Sequence, residues 1–204
     1  MARRGTAKEL FVQRALDMFL KNGVRTTMDE ISRQLKISKR TIYEQFEDKT
    51  DLMRACVNCL LKDCPELPDQ ESDDIVGNIY LAVRDNVLNL FGQRSRFILS
   101  LQTYYPELYD ELISPVIGKV LDYLQASFEK SKEKGFVRED FNAEVYFSYF
   151  IKYVFYITSD MDNLFKKHTH FELFHSAILP MLRGVLTEGG MCRMDAVIAE
   201  NKKK

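Results

Sequence analysis

Two stretches of this 204-residue chain hold the residue types that bind metals or move protons: CVNCLLKDC, with Cys56, Cys59 and Cys64, and HTHFELFH at 168–175. Glu172 and His175 have the Glu-x-x-His spacing of a di-iron bundle. That site needs a second such pair, and the chain has three histidines in all. A solvated helix start with one partly buried histidine is the expected reading. Cys56 and Cys59 fall within an unbroken helical pattern, with no second pair to close a tetrahedral zinc site, and Cys192 is remote in sequence. They are expected to act as small helix hydrophobes. The acidic pairs Asp73-Asp74 and Asp110-Glu111 sit where helix capping and the helix dipole account for them. Phosphate-cradling, nucleophile-elbow and zinc-helix motifs are absent from the sequence. No catalytic residue, metal or cofactor is assigned, and no enzyme is expected.

A different chemistry is offered by SKRTIYEQF, residues 38–46, where Ser38, Lys39, Arg40, Thr41, Tyr43 and Gln45 surround the apolar Ile42 and Phe46. Hydroxyls, an amide and two cations on one short segment suit a polyanion that also presents hydrogen-bonding edges. The charge balance points the same way: residues 1–54 carry 12 Lys or Arg against 8 Asp or Glu, and the remainder 17 against 22. A basic end on an acidic body steers a polyanion to the first quarter of the chain, and double-stranded DNA is the obvious candidate.

The elements that would present this face read throughout at the helical period, so an all-α fold of about nine helices is expected. A first helix runs from about residue 6 to 22, with Leu10, Val12, Ala15, Leu16, Phe19 and Leu20 as its stripe and Gly23 as its stop. Thr27 opens a second helix with Glu30 at capping-box spacing. Ser38 caps a third and Asp48 a fourth over about 49–61. Two helices of about eight and nine residues, with Ile31, Leu35, Ile37, Ile42 and Phe46 inward, fit a helix-turn-helix whose second helix enters a major groove. Longer helices are expected at about 72–92, 94–104, 106–134, 142–160 and 169–187, with Pro115 and Pro180 kinking or splitting two of them. This divides the chain into a DNA-binding domain at 1–50, an effector-binding and dimerisation domain at 51–190, and a solvated tail at 191–204. Apolar runs such as Tyr153 to Ile157 are far too short to span a membrane, and charges interrupt what would follow Arg3 and Arg4 as a secretory segment. A cytoplasmic protein is expected.

Residues 26–53, TTMDEISRQLKISKRTIYEQFEDKTDLM, resemble the N-terminal DNA-binding domain of the tetracycline-repressor (TetR) family through Thr27, Glu30, Ile31, Ser38, Thr41, Ile42, Tyr43, Phe46, Lys49 and Leu52. GFVREDFNAE, 135–144, is similar to the loop that often leads into that family's eighth helix. Three positions depart from the pattern: Ser32 and Lys36, where the family usually has small residues, and Arg40, where it often has glycine. Ser32 still allows close helix crossing. A left-handed Lys36 would carry a strain of about 1 kcal/mol. Arg40 brings a long cation that can read guanine or clamp a phosphate. Chemistry and resemblance together assign DNA contact to Thr27, Ser38, Lys39, Arg40, Thr41, Tyr43, Gln45 and Lys49, with Tyr43, Lys49 and Thr27 on phosphates and Lys39, Arg40, Thr41 and Gln45 on base edges.

The resemblance implies a homodimeric regulator, more often a repressor than an activator, bound to a pseudo-palindromic operator and released by a small-molecule effector. Its last two long helices would form the dimer interface, here through Phe147, Ile151, Phe155, Phe171, Phe174, Ile178 and Leu182. Its effector pocket would draw on Phe91, Gln102, Tyr104, Tyr105, Tyr123 and Phe150, which suit a hydrophobic or amphipathic ligand. The rival reading is a helical ligand carrier or small all-α enzyme whose N-terminal hairpin is structural.

Overall fold

The computed structural model describes residues 6–90, 93–159 and 167–201. Phe91 lies outside them. Ten helices are present among the described residues: α1 (Ala7–Asn22), α2 (Met28–Leu35), α3 (Lys39–Tyr43), α4 (Lys49–Leu61), α5 (Ile75–Leu90), α6 (Gln93–Tyr104), α7 (106–133), α8 (Ala143–Ser159), α9 (170–183) and α10 (Glu188–Asn201). There is no strand among them, only an isolated antiparallel bridge between Val137 and Leu186. The chain forms two compact units, one of Met1–Cys64 with Gln93–Ser114 and the other of Pro65–Gly92 with Pro115–Lys204. The first unit thus recruits α6 from beyond the expected boundary at residue 50.

In the first unit, Phe11, Val12, Ala15, Leu16, Met18 and Phe19 of α1 are buried, and α1 packs against α4, which buries Leu52, Met53, Cys56, Val57 and Leu60. Leu10, expected in the α1 stripe, is exposed, and Phe11 takes the inward position. The Cys56 thiol donates to the Val12 carbonyl and Cys59 to Gln13. Burial pushes the thiols of Cys56, Cys59 and Cys64 above the ordinary range, which keeps them protonated and poor as nucleophiles or ligands.

The second unit packs α5, the part of α7 from residue 115 on, α8, α9 and α10 around Tyr80, Phe128, Phe150, Phe174, Leu182 and Met194. Both expected proline interruptions take the form of a single π turn directly ahead of the proline. Tyr109–Ile113 precedes Pro115 within α7, and Phe174–Ile178 precedes Pro180 within α9. Widening the last turn to bonds from Ser114 N–H to Tyr109 and from Leu179 N–H to Phe174 lets each helix continue past a residue without a donor.

The expected tail at 191–204 is corrected over its described part, since residues 188–201 are the helix α10 and Met194, Val197 and Ile198 are buried in the core. Gly189 and Gly190 lie in its first turn. A Cβ on Gly190 would sit 2.1 Å from the Phe136 carbonyl oxygen, so the glycine is there for close approach. The loop 135–138 is tied to the chain ahead of α10 by Arg138 N–H to Val185 (2.9 Å) and Thr187 N–H to Phe136 (3.0 Å).

Candidate nucleic-acid interface

Local capping sets the two short helices of the first unit. Thr27 accepts from the Glu30 N–H, and the Glu30 carboxylate accepts from the Thr27 N–H at 2.7 Å and its hydroxyl at 2.9 Å. Those bonds hold the Glu30 carboxyl below its usual range. Ser38 caps α3 by accepting from the Thr41 N–H at 3.1 Å. Between the helices Lys36 is left-handed (φ 55°, ψ 40°), the one non-glycine with positive φ among the described residues. The Ile37 N–H reaches back to the Ser32 carbonyl at 3.1 Å, a Schellman-type closure of α2. The turn is regular around Lys36, as expected for a helix-turn-helix.

Ile31, Ile42 and Phe46 are buried at the crossing, while Leu35 and Ile37 are half-buried. With Ile42 inward, Lys39, Arg40, Thr41 and Tyr43 are exposed, Tyr43 with half its surface in solvent. The expected nine-residue third helix is corrected: α3 has five residues. The Gln45 and Phe46 N–H groups both turn back to the Ile42 carbonyl, because the chain must leave the helix in time for Asp48 to cap α4. Gln45 is therefore on the turn after α3, where Lys8 donates to its carbonyl at 3.4 Å and also covers the Phe46 ring.

The cations of this region divide into two kinds. Lys39 pairs with Asp29, and Arg40 with Glu44 one turn on at 3.1 Å, both pairs well exposed. Lys49, expected as a phosphate contact, is half-buried: its ammonium donates to the Val24 carbonyl at 2.7 Å and lies 5.8 Å from the centre of the Tyr105 ring. Arg25, which the sequence reading passed over, donates to the Tyr104 hydroxyl at 2.6 Å with its guanidinium 4.6 Å from that ring's centre. The only available signal was a cation two residues ahead of the Thr27 cap.

Of the expected effector residues, Gln102 and Tyr104 are exposed and Tyr105 half-buried in the first unit, with both tyrosines engaged by cations. Tyr123 and Phe150 are buried in the second unit's core, where the Tyr123 hydroxyl has no hydrogen-bond partner. Of the expected dimer residues, Phe147, Phe155, Phe174, Ile178 and Leu182 are buried by their own chain, Ile151 is half-buried and Phe171 is exposed. A side chain already buried has no surface left for a partner, so these five belong to the core. The face α8 leaves uncovered is Val145, Tyr149, Tyr153 and Tyr156. No group of three or more metal-binding side chains occurs among the described residues, and none of the described helices is long and apolar enough to cross a membrane.

Such a helix-turn-helix followed by a helical body defines a class of DNA-binding regulators. Residues 6–56 match the model for bacterial regulatory proteins, tetR family. The fold is similar to a protein from Rhodococcus sp. assigned to the TetR-family transcriptional regulators (13% identity, 88% of this chain and 99% of that one, TM-score 0.66). It is also similar to FadR from Bacillus subtilis, solved with stearoyl-CoA (14%, 88% and 100%, 0.61), and to the ketosteroid transcriptional regulator KstR2 of Mycobacterium tuberculosis (13%, 91% and 98%, 0.56). No curated protein matches the chain. Residues 6–56 thus match the tetR model of bacterial regulatory proteins, and the fold of the described residues is similar to that of these solved proteins.

Proposed function

We propose that the protein is a cytoplasmic homodimeric repressor that reads a pseudo-palindromic DNA operator through α3 and releases it when a small hydrophobic or amphipathic effector binds. The observation that carries this reading is the outward face of α3: Lys39, Arg40, Thr41 and Tyr43 stand exposed around a buried Ile42, on a helix fixed by the Ser38 cap and the left-handed Lys36. Lys39 and Arg40 are paired only to exposed carboxylates, pairs worth less than about 1 kcal/mol and readily exchanged for phosphate or guanine. Tyr43, Thr27 and Ser38 supply hydroxyls to the backbone, and Gln45 flanks the face from the following turn.

Two copies would present two such helices to half-sites about one turn, roughly 34 Å, apart. The uncovered aliphatic and tyrosine stripe of α8, with exposed Phe171 on α9, supports self-association there. The effector is supported by the Tyr123 hydroxyl: a buried phenol without a partner costs roughly 1–3 kcal/mol, which a ligand with a hydrogen-bonding group would recover. Stearoyl-CoA in the FadR complex has the amphipathic character this reading calls for. An effector that prefers the conformation unable to span both half-sites would lower DNA affinity by its differential affinity for the two states.

The test is selection from a random duplex library with purified full-length protein at moderate salt. The reading calls for a single enriched motif with twofold symmetry and half-sites one helical turn apart. Enrichment of no motif would remove its basis.

A further inference from the structure

We propose that Arg25 is a further phosphate contact of the DNA interface and that Tyr104 is the residue that positions it, an inference that rests on the DNA-binding reading above. Four surface cations of this unit are matched with carboxylates: Lys39 with Asp29, Arg40 with Glu44, Arg54 with Glu111 and Arg94 with Asp63. Arg25 is held differently. Its partner is a neutral phenol, bonded at 2.6 Å and stacked at 4.6 Å, and no carboxylate pairs with it among the described residues. A neutral cradle fixes the direction of a guanidinium without cancelling its charge, and four of its five donors stay available.

The backbone makes the same point. Arg25 is exposed on a turn whose other members face inward: Val24 and Thr26 are buried, and the Thr26 N–H and hydroxyl both donate to the Gly23 carbonyl at 3.2 and 2.8 Å. That turn ends at Thr27, the cap of the helix-turn-helix. Arg25 borders a surface depression of about 280 Å³ with Asn22, Thr26, Glu30 and Gln34. Glu30, the acid at that rim, is occupied by the Thr27 N–H and hydroxyl. Those bonds turn the Glu30 carboxylate toward its own cap rather than toward Arg25. The residue after α6, Tyr105, places its ring against Lys49, so two consecutive tyrosines brace two cations 24 positions apart in sequence on either side of α2 and α3.

Full-length protein is titrated with its selected duplex over 0.05–1 M salt, a range of about the width that resolves single contacts. Arg25→Ala should lower the slope of log affinity against log salt by about 0.9 and weaken binding about eight-fold at 0.1 M salt. Arg25→Lys should restore the slope. Tyr104→Phe removes no charge, so it should keep the slope while weakening binding roughly two- to five-fold at every salt, as expected for a lost positioning bond. Thermal unfolding of each variant separates a folding defect from a lost contact. If Arg25→Ala keeps the wild-type slope, Arg25 is a structural brace and the inference fails while the DNA reading stands. If the wild-type protein selects no duplex, both fail together.

Discussion

The hydroxyl of Ser32 donates a 2.6 Å hydrogen bond to the carbonyl of Ile37, across the left-handed Lys36 that joins α2 to the cap of α3. With the Ile37 N–H returning to the Ser32 carbonyl, the turn is closed from both sides, and the angle at which α3 is presented depends on it. Ser32→Ala should cost about 1 kcal/mol by leaving the Ile37 carbonyl with one partner fewer. Lys36→Val should cost roughly 1–2 kcal/mol, because a β-branched side chain tolerates positive φ worst, whereas Lys36→Gly should be neutral or mildly stabilising. Urea unfolding midpoints check all three, and a Lys36→Val protein as stable as wild type would contradict the strained-turn reading.

Gly190 tests the packing of the last helix. Gly190→Ala forces a Cβ to within 2.1 Å of the Phe136 carbonyl oxygen and should destabilise by about 2 kcal/mol or more, while Gly189→Ala meets only ordinary contacts and should be neutral to stabilising by about 0.5–1 kcal/mol. Thermal midpoints of the two variants should differ in that order. Equal midpoints would mean that α10 does not dock as described.

Asp74 carries the expected acid sensitivity of the second unit. Two hydrogen bonds from the Arg193 guanidinium, at 2.8 and 2.7 Å, lower its carboxyl from the usual range, and the Gly77 N–H adds to that. A depressed carboxylate contributes stability that is present above its unfolded value and lost as the pH falls through its folded one. Stability should therefore decline on acidification below the ordinary aspartate range, and Asp74→Asn should flatten that decline while costing on the order of 1 kcal/mol at neutral pH through the weakened cap and ion pair. Denaturation midpoints against pH, wild type beside variant, give the answer; parallel curves would exclude Asp74 as a source.

The uncovered face of α8 predicts the assembly state. Tyr149→Glu combined with Tyr156→Glu places two charges on the exposed stripe without touching the buried Phe147, Phe150 and Val154, so the protein should stay folded and sediment as a monomer. A dimer that survives both charges would move the interface elsewhere.

The caps were legible because they depend on neighbours three residues apart: Thr27 with Glu30 and Ser38 with Thr41 follow from spacing alone. The left-handed Lys36 was flagged only by the resemblance, at a position where the family usually has a small residue. Where the reading went astray, the deciding contacts were remote. Lys49 turns inward to Val24 and Tyr105, and Arg25 outward over Tyr104, through partners 25 to 79 positions away that no local pattern encodes. The dimer residues failed for a related reason: a helix apolar on nearly every side announces burial, but its period does not say which side the chain itself covers. Phe174 and Leu182 proved to be core, and Tyr149 and Tyr156 were left outside.

The central claim is that α3 reads sequence, and the ratio of affinities for the selected duplex and a scrambled duplex of equal length, at one salt concentration, tests it most directly. A ratio of at least about 10³ is expected for wild type, with Arg40→Ala reducing it by roughly 1–3 kcal/mol, or about five- to 150-fold, if Arg40 reads a base. Equal affinity for the two duplexes would contradict the account, because the first unit would then bind DNA only as a polyanion.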